Sequence, residues 1–276
     1  MAETYDQLLR HASAALTAAG IESDGARYVL EMRSDFTPSQ LRLHARDAVP
    51  APVANQFEAD LPRLLNNEPP QYIVGVAPFY GDLFQVTPAV LIPRFETEEL
   101  VAWAAAEQTQ AQTGLDVGTG SGAIGLTLAK QLPHTAMTLS DVSTAALAVA
   151  KRNATSLKRQ VTLVQSDLFA ALPARYDFII ANLPYISRRE TSVMDASTLA
   201  FEPALALFAA DDGLALFERF VAEVSNHLRP QGSVYLEFGY QQQPALAELF
   251  ARALPQAQVT FRRDLAGKPR MVKLVI

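Results

Sequence analysis

The stretch Leu115-Asp116-Val117-Gly118-Thr119-Gly120-Ser121-Gly122 carries the strongest local signal in this sequence. It joins an apolar, strand-like run at 114–117 to a helical run at 122–132. The glycines at 118 and 120 allow a tight turn and let the backbone approach a ligand closely. The helix that follows adds free amide groups and the positive end of its dipole. The stretch therefore predicts a ligand-binding turn between a strand and a helix.

Strand-like and helical runs alternate from residue 113 to the end of the chain. The strand-like runs are 114–117, 136–140, 161–165, 178–181, 233–237, 259–263 and 270–276, and the helical runs are 122–132, 143–155, 213–228 and 243–253. This pattern predicts an α/β fold, in which helices cover both faces of a parallel sheet and ligands bind at the carboxyl ends of its strands. The last two strand-like runs, around Gly267-Lys268-Pro269, are predicted to be antiparallel strands at the sheet edge.

Carboxylates near the glycines narrow the choice of ligand. Asp141 ends the second strand, about 20 residues further on, where a carboxylate would bind both hydroxyls of a ribose. The pattern Gly118-x-Gly120-x-x-Ala123 also fits a dinucleotide fingerprint, so the loop alone leaves NAD and S-adenosylmethionine open, whereas no P-loop sequence follows. Asp116 favours S-adenosylmethionine, because its carboxylate could receive an ammonium group and would repel a pyrophosphate. Ser166-Asp167-Leu168-Phe169 offers an acceptor for an adenine amino group beside apolar surface.

The predicted cofactor-binding residues on these grounds are Asp116, Gly118, Thr119, Gly120, Ser121, Gly122, Asp141, Asp167 and Leu168.

A polar element follows the fourth strand. The buried run 178–181 ends in Asn182-Leu183-Pro184-Tyr185, which faces the ligand crevice in this fold. A conjugated nitrogen is a poor nucleophile and has to be held in line with a methyl donor. The Asn182 side-chain oxygen and the Leu183 carbonyl could each accept one N–H, while Tyr185 could stack on the planar group. Pro184 restricts residue 183 to extended geometry. These four residues are the predicted catalytic and substrate-binding loop, with a plain turn as the alternative.

The first third of the chain predicts a different architecture. Helical periodicity recurs over 3–20, 22–34, 38–48 and 51–66, with Pro62 predicted to break or kink the last helix. Glycine and proline then recur around the β-prone runs Tyr72–Val76 and Leu83–Val86, which predicts a hairpin. The predicted domains are a helical domain at 1–67, a hairpin linker at 68–93 and an α/β domain at 94–276.

Composition limits the class of function. The 276 residues include no cysteine, which excludes disulfides, thiolate metal sites and cysteine nucleophiles. The net charge is −6, and the first 85 residues hold six arginines against eleven carboxylates, which argues against a grip on a phosphate backbone. Neither a membrane span nor a signal peptide is predicted, so a cytoplasmic location is expected. The four histidines, His11, His44, His134 and His227, lack ligand spacing, so no metal site is predicted.

From about Glu68 onward the chain resembles the HemK/PrmC family, the release-factor glutamine methyltransferases. The segments that carry this resemblance are Glu68–Gly75, Leu91–Val101, Leu115–Gly125, Asn182–Ile186, Glu202–Leu207, Asp212–Leu214 and Asp264–Arg270. The resemblance implies a Rossmann-like class I S-adenosylmethionine-dependent methyltransferase domain and a small helical N-terminal domain, joined by a β-hairpin linker. Three positions depart from the family: Leu183 and Phe95 replace its usual prolines, and Leu168 replaces a common aromatic residue. We expect activity to survive Leu183, because Pro184 still constrains its carbonyl.

The resemblance also implies a reaction and a partner. A methyl group would pass from S-adenosylmethionine to the side-chain amide of the glutamine in the Gly-Gly-Gln motif of peptide-chain release factors. Residues 118–122, Asp141, Leu168 and Asn182 would line the cofactor site, residues 182–185 would bind the glutamine, and the helical domain would dock the release factor. Arg94, Glu96 and Thr97 match a family signature near the site, with helix capping and ion pairing as the alternative.

Three other functions stay open from the sequence. An adenine-directed nucleic-acid methyltransferase would share an element similar to residues 182–185, but the acidic N-terminal part argues against nucleic-acid binding. A cofactor-binding scaffold for the translation machinery would need no catalysis. A nicotinamide oxidoreductase would leave residues 182–185 without a role.

Overall fold

The computed structural model describes residues 3–276, except the side chains at positions 190, 192 and 193. The chain divides into two units, Met1–Val76 with Met194–Phe201, and Ala77–Val193 with Glu202–Ile276. The described part of the first unit is largely helical, and the second unit holds a seven-stranded sheet.

Five helices build the N-terminal part of the first unit. They are α1 Tyr5–Ala18, α2 Asp24–Ser34, α3 Pro38–Leu43, α4 Ala51–Leu65 and α5 Pro70–Val74. Thr4 and Thr37 begin α1 and α3 with capping boxes, which satisfy amides that a helix start leaves free. The apolar faces share one core, which includes Leu8, Leu16, Val29, Leu30, Phe57 and Leu64. The break expected at Pro62 does not occur, since α4 continues through it to Leu65.

The strand predicted at Tyr72–Val76 is wrong, because most of this run is helical. Pro70 stands in the first turn of α5, where its fixed φ suits a helix. Gly75 ends the helix with a left-handed φ of 82°. The Ile73 carbonyl accepts hydrogen bonds from two arginine side chains, which satisfies a free carbonyl of this short helix.

A hairpin follows α5, but its first strand begins only at the last residue of the predicted run Tyr72–Val76. Its strands are β1 Val76–Phe79 and β2 Asp82–Gln85, which form a two-stranded sheet. The connecting Tyr80 and Gly81 have φ angles of 50° and 79°. Two consecutive positive φ angles are typical of the type I′ turn that joins antiparallel strands.

Seven strands form the main sheet of the second unit. They are β3 Thr113–Val117, β4 Ala136–Asp141, β5 Thr162–Gln165, β6 Tyr176–Ala181, β7 Leu228–Glu237, β8 Gln258–Arg263 and β9 Pro269–Val275. Their order is β5-β4-β3-β6-β7-β9-β8. The first five strands in this order pair in parallel, and β9 pairs antiparallel with both β7 and β8. The predicted α/β class and the antiparallel edge are therefore confirmed.

Helices of the second unit follow the predicted alternation with one shortened segment. They are α6 Phe95–Glu107, α7 Ala123–Gln131, α8 Thr144–Ser156, then, after α9 Ala196–Phe201 of the first unit, α10 Ala204–Leu207, α11 Ala215–Glu223 and α12 Gln243–Ala253. The helix predicted over 213–228 gives way to a 3₁₀ turn at Val224–His227 before β7 begins. The sequence patterns missed α9 and α10, because four to six residues carry fewer than two helical periods.

The central strand β6 shows why both faces of the sheet are covered. Phe178 and Ile180 belong to a core with residues of α6 and α7, whereas Ile179 and Ala181 belong to a second core with residues of α11 and α12. All four side chains are fully buried. An unbroken apolar run is what a strand with two covered faces requires.

Candidate active site

A cavity of about 470 Å³ lies at the carboxyl ends of the parallel strands. Twelve predicted site residues line it: Arg94, Thr97, Gly118, Thr119, Gly120, Ser121, Asp141, Asp167, Leu168, Asn182, Leu183 and Pro184. Four others, all within the described residues, do not line it: Glu96, Asp116, Gly122 and Tyr185. The fold thus brings most of the predicted site into one crevice, at the place where open α/β sheets bind ligands.

The glycine loop after β3 has the conformation that its sequence requires. Gly118, Gly120 and Gly122 have φ angles of 72°, 56° and 85°, in the region that favours glycine. The amides of Gly118 and Thr119 both donate to the Ser140 carbonyl at 2.9 Å, which ties the loop to β4. Gly122 precedes α7, so the loop delivers the start of that helix to the cavity.

Asp116 lies beneath the loop, fully buried. Its Oδ2 accepts from Thr119 Oγ1 at 2.5 Å and from the Gly125 amide at 2.9 Å. Its Oδ1 is buried and has no hydrogen-bond partner among the described residues. Desolvation raises the pKa of Asp116 to about 7. Asp116 therefore braces the loop from below, and its contact with a ligand ammonium group stays a prediction.

Asp141, at the end of β4, lines the cavity with its carboxylate held from two sides. Oδ2 accepts from the Gly120 amide at 2.9 Å, and Oδ1 accepts from the Ser143 amide at 2.8 Å. Burial raises the pKa of Asp141, while these backbone donors oppose that rise. The fixed carboxylate can accept hydrogen bonds from a pair of ligand hydroxyls.

Asp167 and Leu168 follow β5 on the other side of the cavity. Asp167 Oδ2 accepts from Arg219 Nη2 at 2.8 Å, and both side chains are about half exposed. Leu168 is buried, with a positive φ of 48°, and its carbonyl accepts from Ser166 Oγ at 2.9 Å. This corner combines an exposed acceptor with an apolar wall.

The loop at 182–185 forms another wall of the cavity. Asn182, Leu183 and Pro184 line it, and Leu183 is 3% exposed. Tyr185 turns away: its ring packs against the core, and its hydroxyl donates to Glu237 Oε1 at 3.3 Å. Burial and the neighbouring Glu237 raise the pKa of Tyr185, which keeps the hydroxyl protonated. Stacking of Tyr185 on a substrate amide stays a prediction.

Two buried glutamates hold cavity residues, and sequence reasoning gave neither of them a role. Glu202 Oε1 accepts from Arg94 at 2.5 Å, and its Oε2 accepts from the Ile92 amide at 3.1 Å. Glu237 Oε2 accepts from Thr97 Oγ1 at 2.6 Å. Glu202 lies in a segment that carried the family resemblance, which was the available signal, whereas no motif marked Glu237.

Two further properties concern the described residues only. No group of three or more His, Asp or Glu side chains among them could hold a metal ion. None of their helices has both the length and the apolar character needed to cross a membrane.

The fold and the cavity define a class of protein. A family model described as the methyltransferase small domain matches residues 96–209. A solved methyltransferase from Pyrococcus furiosus has a TM-score of 0.55 at 18% identity, covering 79% of this chain and 98% of its own. The Thermus thermophilus 16S rRNA N2 G1207 methyltransferase was solved with AdoMet and guanosine. It has a TM-score of 0.52 at 18% identity, and the match covers 72% of this chain and 49% of the Thermus chain. The chain has the fold of these methyltransferases.

Its relatives identify the family. The release factor glutamine methyltransferase of Enterococcus faecalis is 39% identical to this chain, over 98% of it and 99% of the relative. The enzyme of the same name from Streptococcus pneumoniae is 38% identical over 96% of each chain. A family model described as the PrmC N-terminal domain matches residues 7–75. The chain belongs to the release factor glutamine methyltransferase family.

Proposed function

We propose that this chain transfers a methyl group from S-adenosylmethionine to the side-chain amide nitrogen of the glutamine in the Gly-Gly-Gln motif of peptide-chain release factors. The names of its relatives support this reaction. The observation that carries it is a pair of free acceptor oxygens on two residues that line the cavity. Among the described residues, neither Asn182 Oδ1 nor the Leu183 carbonyl accepts a hydrogen bond from the chain. A primary amide has two N–H groups, which match these two oxygens.

The residues of the cavity fit the cofactor. The glycine loop lets the backbone come close to a ligand and leads into a helix start, Asp141 offers a carboxylate for ribose hydroxyls, and Asp167 with Leu168 offers a place for adenine. The buried Oδ1 of Asp116 lacks a donor among the described residues, as expected beneath a site for a cationic ligand. When bound, S-adenosylmethionine supplies an electrophilic methyl group on its sulfonium.

The chain contributes positioning more than acid–base chemistry. Asn182 and Leu183 would orient the glutamine nitrogen, whose lone pair is delocalised and needs a fixed approach. Pro184 restricts Leu183 to extended geometry, so the direction of its carbonyl is set before the substrate arrives. Such positioning and preorganised dipoles can lower the barrier by up to ~7–11 kcal/mol.

The two-part chain suggests how a protein substrate is held. We assign release-factor docking to the helical domain at 1–67, the hairpin linker to 68–93 and catalysis to 94–276. The match of residues 7–75 to the PrmC N-terminal domain supports a separate role for the helical part. Because release factors act on ribosomes, we infer a cytoplasmic site of action. We infer no direct nucleic-acid binding, because the N-terminal part is acidic.

The reaction is tested with labelled S-adenosylmethionine and three acceptors: a release factor, its Gly-Gly-Gln variant with the glutamine replaced by alanine, and duplex DNA. We expect label on the unmodified release factor alone. Label on DNA would instead identify an adenine-directed enzyme. Tight cofactor binding with no transfer to any acceptor would identify a scaffold.

A substitution in the loop tests the assigned acceptor. Asn182→Ala removes Oδ1 and is expected to abolish turnover, while cofactor affinity stays within about tenfold, or ~1.4 kcal/mol. Asn226→Ala is the matched control, because Asn226 is exposed and outside the cavity. Turnover in Asn182→Ala equal to that of the control would remove Asn182 from the mechanism.

A further inference from the structure

A chain of hydrogen bonds runs from Asn182 into the protein interior. Asn182 Nδ2 lies 3.2 Å from Thr97 Oγ1, and Thr97 Oγ1 lies 2.6 Å from Glu237 Oε2. Thr97 and Asn182 line the cavity. Glu237 ends β7, is 2% exposed and does not line it. A group that cannot reach the substrate directly is thus linked to one that can.

The direction of these hydrogen bonds determines the orientation of the Asn182 side-chain amide. A threonine hydroxyl has a single proton, and Thr97 donates it to Glu237 Oε2. Towards Asn182, the Thr97 oxygen can then only accept. Asn182 must therefore direct its NH₂ group at Thr97 and its Oδ1 elsewhere. The two ends of an asparagine amide have nearly the same shape, so hydrogen bonding decides between the two orientations.

Glu237 accepts one hydrogen bond at each of its two carboxyl oxygens. The Tyr185 hydroxyl donates to its Oε1, so each carboxylate oxygen receives one hydroxyl. The positive charge of Arg270 acts on it as well. Burial raises the pKa of Glu237, and the two hydroxyls and Arg270 oppose that rise. Arg270 is itself held by Asp264, with Nε 3.2 Å from Oδ2.

We propose that Glu237 is a positioning residue for methyl transfer, which acts through Thr97 to aim Asn182 Oδ1 at the substrate nitrogen. Through Tyr185 it also holds the far end of the 182–185 loop. One buried carboxylate thereby connects to both ends of the substrate loop without touching the substrate. The role of Glu237 rests on the proposed function, because it assumes that Asn182 receives an amide N–H.

The test removes the fixed direction of the hydrogen bonds from Asn182 through Thr97 to Glu237 and preserves the shape of the substituted side chains. Glu237→Gln can donate to Thr97 as well as accept from it, so both orientations of Asn182 become available. Thr97→Val removes the relay at nearly constant volume, and Thr97→Ser keeps the hydroxyl. We expect kcat for the release factor to fall about 10- to 100-fold in Glu237→Gln and Thr97→Val, as when reactive geometry is lost. Cofactor affinity should change less than about threefold in Glu237→Gln, and Thr97→Ser should recover kcat relative to Thr97→Val.

Glu107→Gln is the matched control. Glu107 Oε2 accepts from the Tyr235 hydroxyl at 2.7 Å, as Glu237 Oε1 accepts from Tyr185, and it pairs with Lys273 at 2.7 Å. Like Glu237, it does not line the cavity. Its variant should keep the wild-type kcat. A folded Glu237→Gln enzyme with the wild-type kcat would overturn the assignment, as would equal losses in Glu107→Gln and Glu237→Gln.

A second readout separates this role from the proposed function. The side-chain NH₂ resonances of Asn182 in an NMR spectrum report its hydrogen bond to Thr97 without any turnover. We expect these resonances to move in Thr97→Val and Glu237→Gln and to stay in place in Glu107→Gln. If the wild-type chain labels no release factor, the proposed function fails. If the resonances of Asn182 do not respond, the role of Glu237 fails on its own.

Discussion

Gly213 lies against the substrate loop so closely that a single methyl group should disable the enzyme. Gly213 has a φ of 86°, and a Cβ built on it would lie 2.0 Å from the Tyr185 carbonyl oxygen and 2.5 Å from Gln242 Nε2. Gln242 Nε2 donates to that same carbonyl at 2.9 Å. Because real Cβ contacts essentially never fall below 3.0 Å, the Gly213→Ala substitution must separate the two backbones by about 1 Å.

The expected loss of activity follows from the part of the site that the displacement reaches. Tyr185 ends the loop that begins at Asn182, so a shift of its carbonyl passes to the acceptors proposed for the glutamine amide. A misplacement of ~1 Å at a reacting group costs about 100-fold in rate. We therefore expect kcat/KM for the release factor to fall about 100-fold, with cofactor affinity nearly unchanged. The crowding should also lower the free energy of unfolding by about 1–3 kcal/mol, in addition to the cost of a left-handed alanine, about 1–2 kcal/mol.

Gly81→Ala separates these two costs. Gly81 has a similar φ of 79°, and nothing lies within 4 Å of the Cβ position. It should therefore show the left-handed cost alone, about 1–2 kcal/mol in urea unfolding, with unchanged kcat/KM. Methyl transfer, calorimetric titration of cofactor and urea unfolding measure the three quantities. Full activity in Gly213→Ala, or the same loss of activity in Gly81→Ala, would refute the reasoning.

Two further substitutions test the loop and the buried carboxylate beneath the cofactor site. Leu183→Pro should leave kcat within about threefold, because only the carbonyl of residue 183 is assigned a role; losing one buried carbon should lower the free energy of unfolding by about 1 kcal/mol. A tenfold change in kcat would contradict that assignment. Asp116 has a pKa of about 7 in the folded chain against an ordinary 3.8, so the folded state retains a proton that the unfolded state releases. The contribution of this retained proton to the free energy of unfolding is complete below pH 4. It is lost as the pH rises to 7, which lowers the free energy of unfolding by up to about 4 kcal/mol. Urea unfolding without cofactor should show a smaller fall over this range in Asp116→Asn than in the wild type, and equal pH dependence would show that Asp116 is not the group responsible.

The sequence predicted most of the sheet because its signals are local. Apolar runs such as Phe178–Ala181, each ended by glycine, proline or a polar residue, mark buried strands, and the glycines at 118 and 120 mark the turn between β3 and α7. The run Tyr72–Val76 failed because residues with high β-propensity can be helical in a suitable context. There, Pro70, Gly75 and arginine side chains that reach the Ile73 carbonyl favour the helix.

The cavity was predictable for the same reason, since parallel strands place their carboxyl ends together. Twelve predicted site residues line it. The direction of individual side chains was not predictable. Asp116 turns beneath the loop, and Tyr185 turns towards β7, although both stand next to residues that face the cavity. In a strand or a loop, a change in one torsion angle is enough to point a side chain to the opposite side.

The class of fold, the order of its elements and the loops that meet at the crevice could be predicted from the sequence, because each is encoded within a few neighbouring residues. The buried carboxylates that support those loops became apparent only in the folded structure. Thr97 and Glu237 are 140 positions apart, and Arg94 and Glu202 are 108 apart. No periodicity or motif links such distant positions. They meet only after packing has removed them from water, where an unpaired polar group would be costly.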